Sequence, residues 1–324
     1  FRNPNPGYVH ASAFFSSLVQ LSESEILCTY NRGAGMYATD LAFHAARSND
    51  GGASWPEQSV VHERSADDTA YSYHDPMLAG LGDGTLVITA FRVDRSDPER
   101  PMFNEATGGI CEFELVLLRS SDRGHTWSRP QQMAVPDNLI VTPSSGVIEL
   151  EDGRWFMPCD RWHAFDSSQP YRPRVVGLFS GDQGRTWSDP VVIAETNSQD
   201  KGFWHGQVLR MTDGRLFTMF WTALMKDDIQ TQPLHCCIGS QDGTEWSEPE
   251  ATDLPGQTNH AVDLGGGRML DFCCRRDGSQ PGFFAAVSGD EGRTWDRENE
   301  ICVWDASGRD KLGVEAPETY PRSH

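Results

Sequence analysis

The chain reads as an all-β propeller, and three observations carry that reading. A phrase of about eight residues recurs as SNDGGASW at 48–55, SSDRGHTW at 120–127, SGDQGRTW at 180–187 and SGDEGRTW at 288–295, with a shortened copy, SQDGTEW, at 240–246. An apolar stretch broken by a tight turn precedes each copy in constant phase, and no long window carries helical periodicity. Self-similarity at a period of several tens of residues means one supersecondary unit stacked on itself. Four short strands in each of five units are the blades of a β-propeller. Five visible repeats fit a five-bladed propeller, or a six-bladed one with an incomplete blade.

Each unit opens on a strand pair around a DG-type turn. The pairs are SLVQLSESEILCTYNR, MLAGLGDGTLVITAFR, GVIELEDGRWFMPCDR, QVLRMTDGRLFTMFWT and AVDLGGGRMLDFCCRR. The recurrent phrase follows. Its Asp, at 50, 122, 182, 242 and 290, accepts from nearby amides, Gly supplies positive φ, and the closing Trp returns apolar surface to the core. A catalytic residue is needed once and a staple in every repeat, so the phrase is read as a staple. A further run after the Trp, such as SDPVVIAE or SRPQQMAV, opens with a Pro that an edge strand tolerates. The repeats fall near 8–69, 70–137, 138–198, 199–254 and 255–304, with a tail at 305–324, all in one domain.

Composition narrows the function classes. With 324 residues, 38% of them apolar, and 31 Gly, the chain is turn-rich yet long enough for a large core. No apolar run is long enough to span a bilayer. A formal charge of −20 excludes a general basic surface and argues against nucleic acid as a partner. Phe1 opens the chain with no charged-then-apolar leader, which leaves the compartment open. The eight cysteines form no spaced framework and are read mostly as free buried thiols, and no CxxC or HExxH spacing is present, so no metal or cofactor is expected. Oligomeric state is not legible.

Propeller function sits where inner strands end around the axis. Six residues past the anchors Ile26, Leu86, Trp155, Leu216 and Met269, four units carry arginine: Arg32, Arg92, Arg161 and Arg275. Guanidinium forks hold planar anions, so these four are expected to bind an acidic group. Eleven residues before the anchors stand Phe15, Asp75, Ser144, His205 and Thr258, with His74 and His260 adjacent. Carboxylate, imidazole and guanidinium on one rim are the parts for acid/base work on a polyhydroxylated substrate. Trp204 and Trp221, near inner-strand ends, are placed to stack on a sugar ring.

The S-x-D-x-G-x-T-W phrase, in phase with the DGR-type strands over nearly the whole chain, resembles the Asp-box (BNR) repeat of the sialidase, or neuraminidase, superfamily. The resemblance implies a six-bladed propeller that cleaves terminal sialic acid with three arginines, an Asp acid/base, and a Tyr nucleophile assisted by a Glu. ILCTYNRGAGMYATDLAFHAARSNDGG is similar to the family segment with an Arg and then the acid/base Asp, which assigns Arg32 and Asp40; the HDP at 74–76 matches another family phrase. Elsewhere the chain departs. It reads AFFSSL where the family has Phe-Arg-Ile-Pro, with an FRNP only at residues 1–4. His205 stands where the family has Glu, Trp221 and Thr222 stand near its fourth-blade Arg, and Tyr320 lies in an unmatched tail.

The expectation is a carbohydrate-active enzyme, a sialidase-like, exo-acting glycoside hydrolase on a terminal or acidic sugar. Asp40 is the general acid, and Asp75 and His205 supply the second catalytic function. One alternative is a polysaccharide lyase on uronate glycans with His205, Tyr71 or Tyr73 as base. The other is a non-catalytic carbohydrate-binding or interaction propeller, to be recognised by rim carboxylates all paired with structural arginines.

Overall fold

A computed structural model describes residues 12–62, 70–198, 200–225, 229–276 and 280–306. The FRNP phrase and Tyr320 lie outside them.

The five strand pairs and five phrases fold as five antiparallel blades that follow one another around an axis, a five-bladed β-propeller. Blade one holds β1 (Ser12–Gln20), β2 (Ile26–Gly33), β3 (Ala42–Ser48) and β4 (Glu57–Val60); blade two holds β5 (Tyr71–Gly80), β6 (Leu86–Asp94), β7 (Glu114–Ser120) and β8 (Gln131–Gln132). In blade three the first strand is split into β9 (Val141–Pro143) and β10 (Ile148–Glu149), followed by β11 (Trp155–Arg161), β12 (Arg174–Ser180) and β13 (Val191–Ala194). Blade four comprises β14 (Lys201–Arg210), β15 (Leu216–Leu224), β16 (Gln230–Gly239) and β17 (Glu250–Pro255). Blade five comprises β18 (Asn259–Gly265), β19 (Arg268–Arg275), β20 (Gly282–Ser288) and β21 (Ile301–Asp305).

Alternation along the strands decides where the core lies. Blades two, three and four each turn one face to the blade before and the other to the blade after, and four apolar clusters fill the contacts between blades one and two, two and three, three and four, and four and five. The far face of blade five leaves Val262, Leu264, Phe272, Phe283 and Val287 exposed, with Ile301, Val303 and Trp304 on its edge strand.

The recurrent phrase is the staple its repetition implies. In blade two, Ser120 Oγ donates to Asp122 Oδ1 at 2.8 Å and accepts from Gly124 N, while Thr126 donates to Asp122 through both its amide and its hydroxyl. Gly124 has φ 84°, and a Cβ there would meet Leu27 of blade one at 2.4 Å, so the turn needs glycine twice over. Trp55, Trp187, Trp246 and Trp295 each donate the indole N–H to the carbonyl of the phrase's Gly three residues earlier. Hydrogen bonds to the carboxylate pull Asp50, Asp182 and Asp242 down to about 2. All these turns share one end of the propeller with the DG turns. The long excursions between second and third strands occupy the other end.

Candidate functional site

At that other end the first strands of three blades are bulged at one register. Phe15 and Ser16 of β1 stand opposite Tyr30 alone, Asp75 and Pro76 of β5 opposite Ala90, and His205 and Gly206 of β14 opposite Phe220. The first residue of each bulge is left-handed, with φ of 53° at Phe15, 53° at Asp75 and 57° at His205. Such a backbone costs a non-glycine residue about 1–3 kcal/mol and persists where the surroundings over-determine it. A bulge also re-aims the side chain it carries.

Asp75 and His205 meet in one electrostatic cluster with Asp160, Tyr37 and Arg276. Burial raises the Asp75 carboxyl to about 7, with His205 opposing the rise and Asp160 adding to it. One Asp75 oxygen is buried without a hydrogen-bond partner. Asp160, buried at the end of β11, takes the His205 amide on Oδ1 at 2.9 Å and lies 3.3 Å from the imidazole Nδ1 through Oδ2. Burial pushes the Tyr37 hydroxyl up, and Asp75 pushes it further while Arg276 pulls the other way, so the phenol stays protonated. Arg276 lies 5.0 Å from the Trp221 ring centroid, and among the described residues no carboxylate pairs with it. Among the described residues neither Asp75 nor Asp160 pairs with an arginine.

Aromatic rings wall the cluster on one side. A chain of ring contacts runs from Phe15 through Tyr37, Phe103, Trp162, Tyr171 and Trp204 to Trp221, with centroids 4.9–6.5 Å apart. His205 stacks on Trp221 at 6.1 Å with an interplanar angle of 8°. Two excursions build the wall, 95–113 of blade two and 162–173 of blade three. Asn104 and Thr107 both donate to the Phe165 carbonyl, and Ile110 N donates to the His163 carbonyl. Tyr37 rides on the blade-one excursion, whose turn is closed by Ala34 N donating to the Asp40 carboxylate.

The residues singled out in the sequence divide between the cluster and the blades. Asp75, His205, Trp204 and Trp221 lie in it. Asp40 is exposed on the Tyr37 turn. His74 is fully buried, stacked on Phe91 and bonded to Ser72 Oγ at 2.7 Å, and burial holds it neutral by lowering its pKa well below the usual range. His260 lies on the far face of blade five, opposite Phe272.

The four arginines are not brought together. Arg92 pairs with Glu114 and lies over Tyr71, and Arg275 pairs with Glu300 and lies over Phe284. Arg161 stands across the strands from Arg174, and Arg32 lines a cavity of about 520 Å³ on blade one with Phe14, Tyr30 and Gln58. Tyr73 is buried against Phe43 and His62.

Four members of the site were passed over in the sequence: Tyr37, Asp160, Arg276 and Asn31, whose Oδ1 accepts the Asp75 amide at 2.9 Å. Strand alternation carries the signal for three of them, because Asn31 and Asp160 stand five residues past their anchors and Arg276 seven. Those are odd steps on the face opposite the six-step arginines.

Asp-box blades around an axis with a titratable cluster at one end define a β-propeller of the sialidase superfamily. The chain belongs to the family of the BNR repeat-like domain, which matches residues 24–298. A sialidase of Paraclostridium sordellii is 24% identical over 280 residues, which is 78% of this chain and 65% of that relative. Among solved structures, a protein of unknown function from Dyadobacter fermentans aligns with TM-score 0.69 at 20% identity, covering 90% of this chain and 83% of that one. A Hadza microbial sialidase gives 0.67 at 19% identity over 90% of this chain and 58% of its own. The NanB sialidase of Streptococcus pneumoniae gives 0.61 at 12% identity over 93% and 63%. Among the described residues no helix is long and apolar enough to cross a membrane.

Proposed function

We propose that the chain is a glycoside hydrolase acting on a terminal acidic sugar held over the axis. The observation that carries the reading is the pair of unlike environments: a carboxyl raised to about 7 at Asp75 beside an imidazole backed by the Asp160 carboxylate. Two titratable groups set apart by their surroundings divide acid and base roles. Asp75, protonated, donates to the glycosidic oxygen as the C–O bond breaks. His205 takes a proton from the water that adds to the anomeric carbon, and its Nδ1–H faces Asp160. Arg276, with no carboxylate paired to it among the described residues and lying over Trp221, holds the sugar's acidic group, and Trp204 and Trp221 lie under the ring. Asp40 holds the loop that presents Tyr37. The sialidase relatives support an acidic sugar as substrate.

A second reading rests on the same His205–Asp160 contact, because an oriented imidazole beside a guanidinium also suits removal of a proton α to a uronate carboxylate. The experiment is a screen of sialosides and uronate glycans with Arg276→Ala beside the native chain. Hydrolysis gives a new reducing end without ultraviolet absorbance, and Arg276→Ala raises KM roughly tenfold or more with kcat nearly unchanged. Unsaturated, ultraviolet-absorbing products would establish the lyase instead. An unaltered KM in the variant would remove Arg276 from the anion site.

A further inference from the structure

We infer that Asn31 and Asp160 are positioning residues of one kind: each reaches from the second strand of its blade to hold the bulge that aims the titratable residue of the next blade. The inference rests on the proposed acid/base roles of Asp75 and His205 and explains how the fold presents them.

The two contacts superpose in register. Asn31 is five residues past the anchor of blade one and accepts the Asp75 amide of blade two on Oδ1 at 2.9 Å; its Nδ2 donates to the Tyr73 carbonyl at 2.6 Å. Asp160 is five residues past the anchor of blade three and accepts the His205 amide of blade four on Oδ1 at 2.9 Å. The same position is Phe91 in blade two and Trp221 in blade four, neither of which has an acceptor, and the residues they face in register, Ser144 and Thr258, are not left-handed. Phe15 has the bulge without chemistry, and among the described residues no side chain accepts its amide. The side-chain acceptor therefore occurs at the two interfaces where the bulge carries a proton-transfer group.

The choice of side chain follows the charge that each bulge needs. Asn31 is neutral and fully buried beneath a carboxyl that works protonated, and a second carboxylate there would oppose any ionisation of Asp75. Asp160 is charged beneath an imidazole, and its second oxygen faces Nδ1, which fixes the N–H on Nδ1 and leaves Nε2 as the base. Amide and carboxylate are nearly the same shape, so exchanging them tests charge with little change of packing.

The test uses the full chain with Asn31→Ala, Asp160→Ala, Asn31→Asp and Asp160→Asn. Each Ala variant speeds amide exchange at its own bulge, residue 75 or residue 205, by roughly tenfold and leaves the other unchanged, as expected for loss of one hydrogen bond. In Asp160→Asn the His205 amide stays protected, but the imidazole 15N resonances, assigned by their loss in His205→Gln, move away from the Nδ1–H tautomer. On a turned-over glycan, Asp160→Asn lowers kcat by roughly tenfold or more at constant KM. Asn31→Asp moves the alkaline limb of kcat to higher pH, and Asp160→Asn moves it to lower pH. Unchanged exchange at residues 75 and 205 in the Ala variants, or unchanged 15N resonances in Asp160→Asn, would overturn the inference. A chain inactive on every glycan sinks the hydrolase reading alone, since exchange and 15N shifts need no substrate.

Discussion

Replacing Asp75 with Asn keeps the side-chain volume and removes one ionisable group from the axis, so its effect on stability has to change with pH. Burial raises the native carboxyl to about 7, against about 3.9 in an unfolded chain. Between those values the folded protein keeps a proton that the unfolded chain releases, and stability falls as pH climbs. Each tenfold difference in proton affinity is about 1.4 kcal/mol, so the loss reaches about 4 kcal/mol once the pH passes 7. Asn has no such slope. Urea midpoints of the native chain and Asp75→Asn should coincide near about pH 4 and separate as pH rises, the variant becoming the more stable by up to about 4 kcal/mol near pH 8. Activity moves the other way, because Asn cannot donate a proton, and turnover falls roughly 10²- to 10⁴-fold. A stability difference of constant size at every pH, or a variant that is weaker near pH 8, would refute a protonated Asp75 and with it the proposed acid.

Two further substitutions separate stability from function. Asp271 is fully buried between blades four and five, and burial raises it to about 8; Asp271→Asn should therefore stabilise the chain above about pH 8 by about 6 kcal/mol, and near pH 4 hardly at all, in the same urea titration. Asp290 accepts from Ser288 and twice from Thr294 in the last staple. Asp290→Ala should cost about 1–3 kcal/mol in thermal melts while KM and kcat per folded molecule stay unchanged.

The fold was legible because it is written five times over. Ser, Asp and Gly of the phrase make the same bonds in blades one, two, three and five, so the repeat predicts the turns, the strand pairs and the phase at once. The first-strand register was legible too: eleven steps before the anchors fall Phe15, Asp75 and His205, the three residues at the head of the bulges. The second-strand register shows where reading by residue type misleads. Arginine at six steps attracts attention through its charge, yet Arg92 and Arg275 meet Glu114 and Glu300 beside them in their own blades. One residue earlier or later the chain crosses to the other sheet face, and there Asp160 and Arg276 reach the axis. Tyr37 gave no periodic signal, since it comes from an excursion between strands.

Why the repeated staples and the proposed site are separated follows from the ends of the blades. The end with the Asp staples repeats because every blade needs the same closure, and a blade without its staple loses bonds that the others keep. The opposite end need not repeat, because the proposed acid, base and anion-binding guanidinium are each needed once, and its residues differ from blade to blade: Asp75, His205, Arg276. What the two ends share is register. A bulge placed at one position of the first strand, met by one position of the preceding blade's second strand, gives a slot in which a neutral amide or a carboxylate can be set beneath whatever the bulge presents. Phe91 and Trp221 at that second-strand position, facing unstrained Ser144 and Thr258, mark the interfaces where the slot holds neither. Substitutions confined to these slots would then change the chemistry of the axis while the staples, cores and turns of the propeller stay as they are.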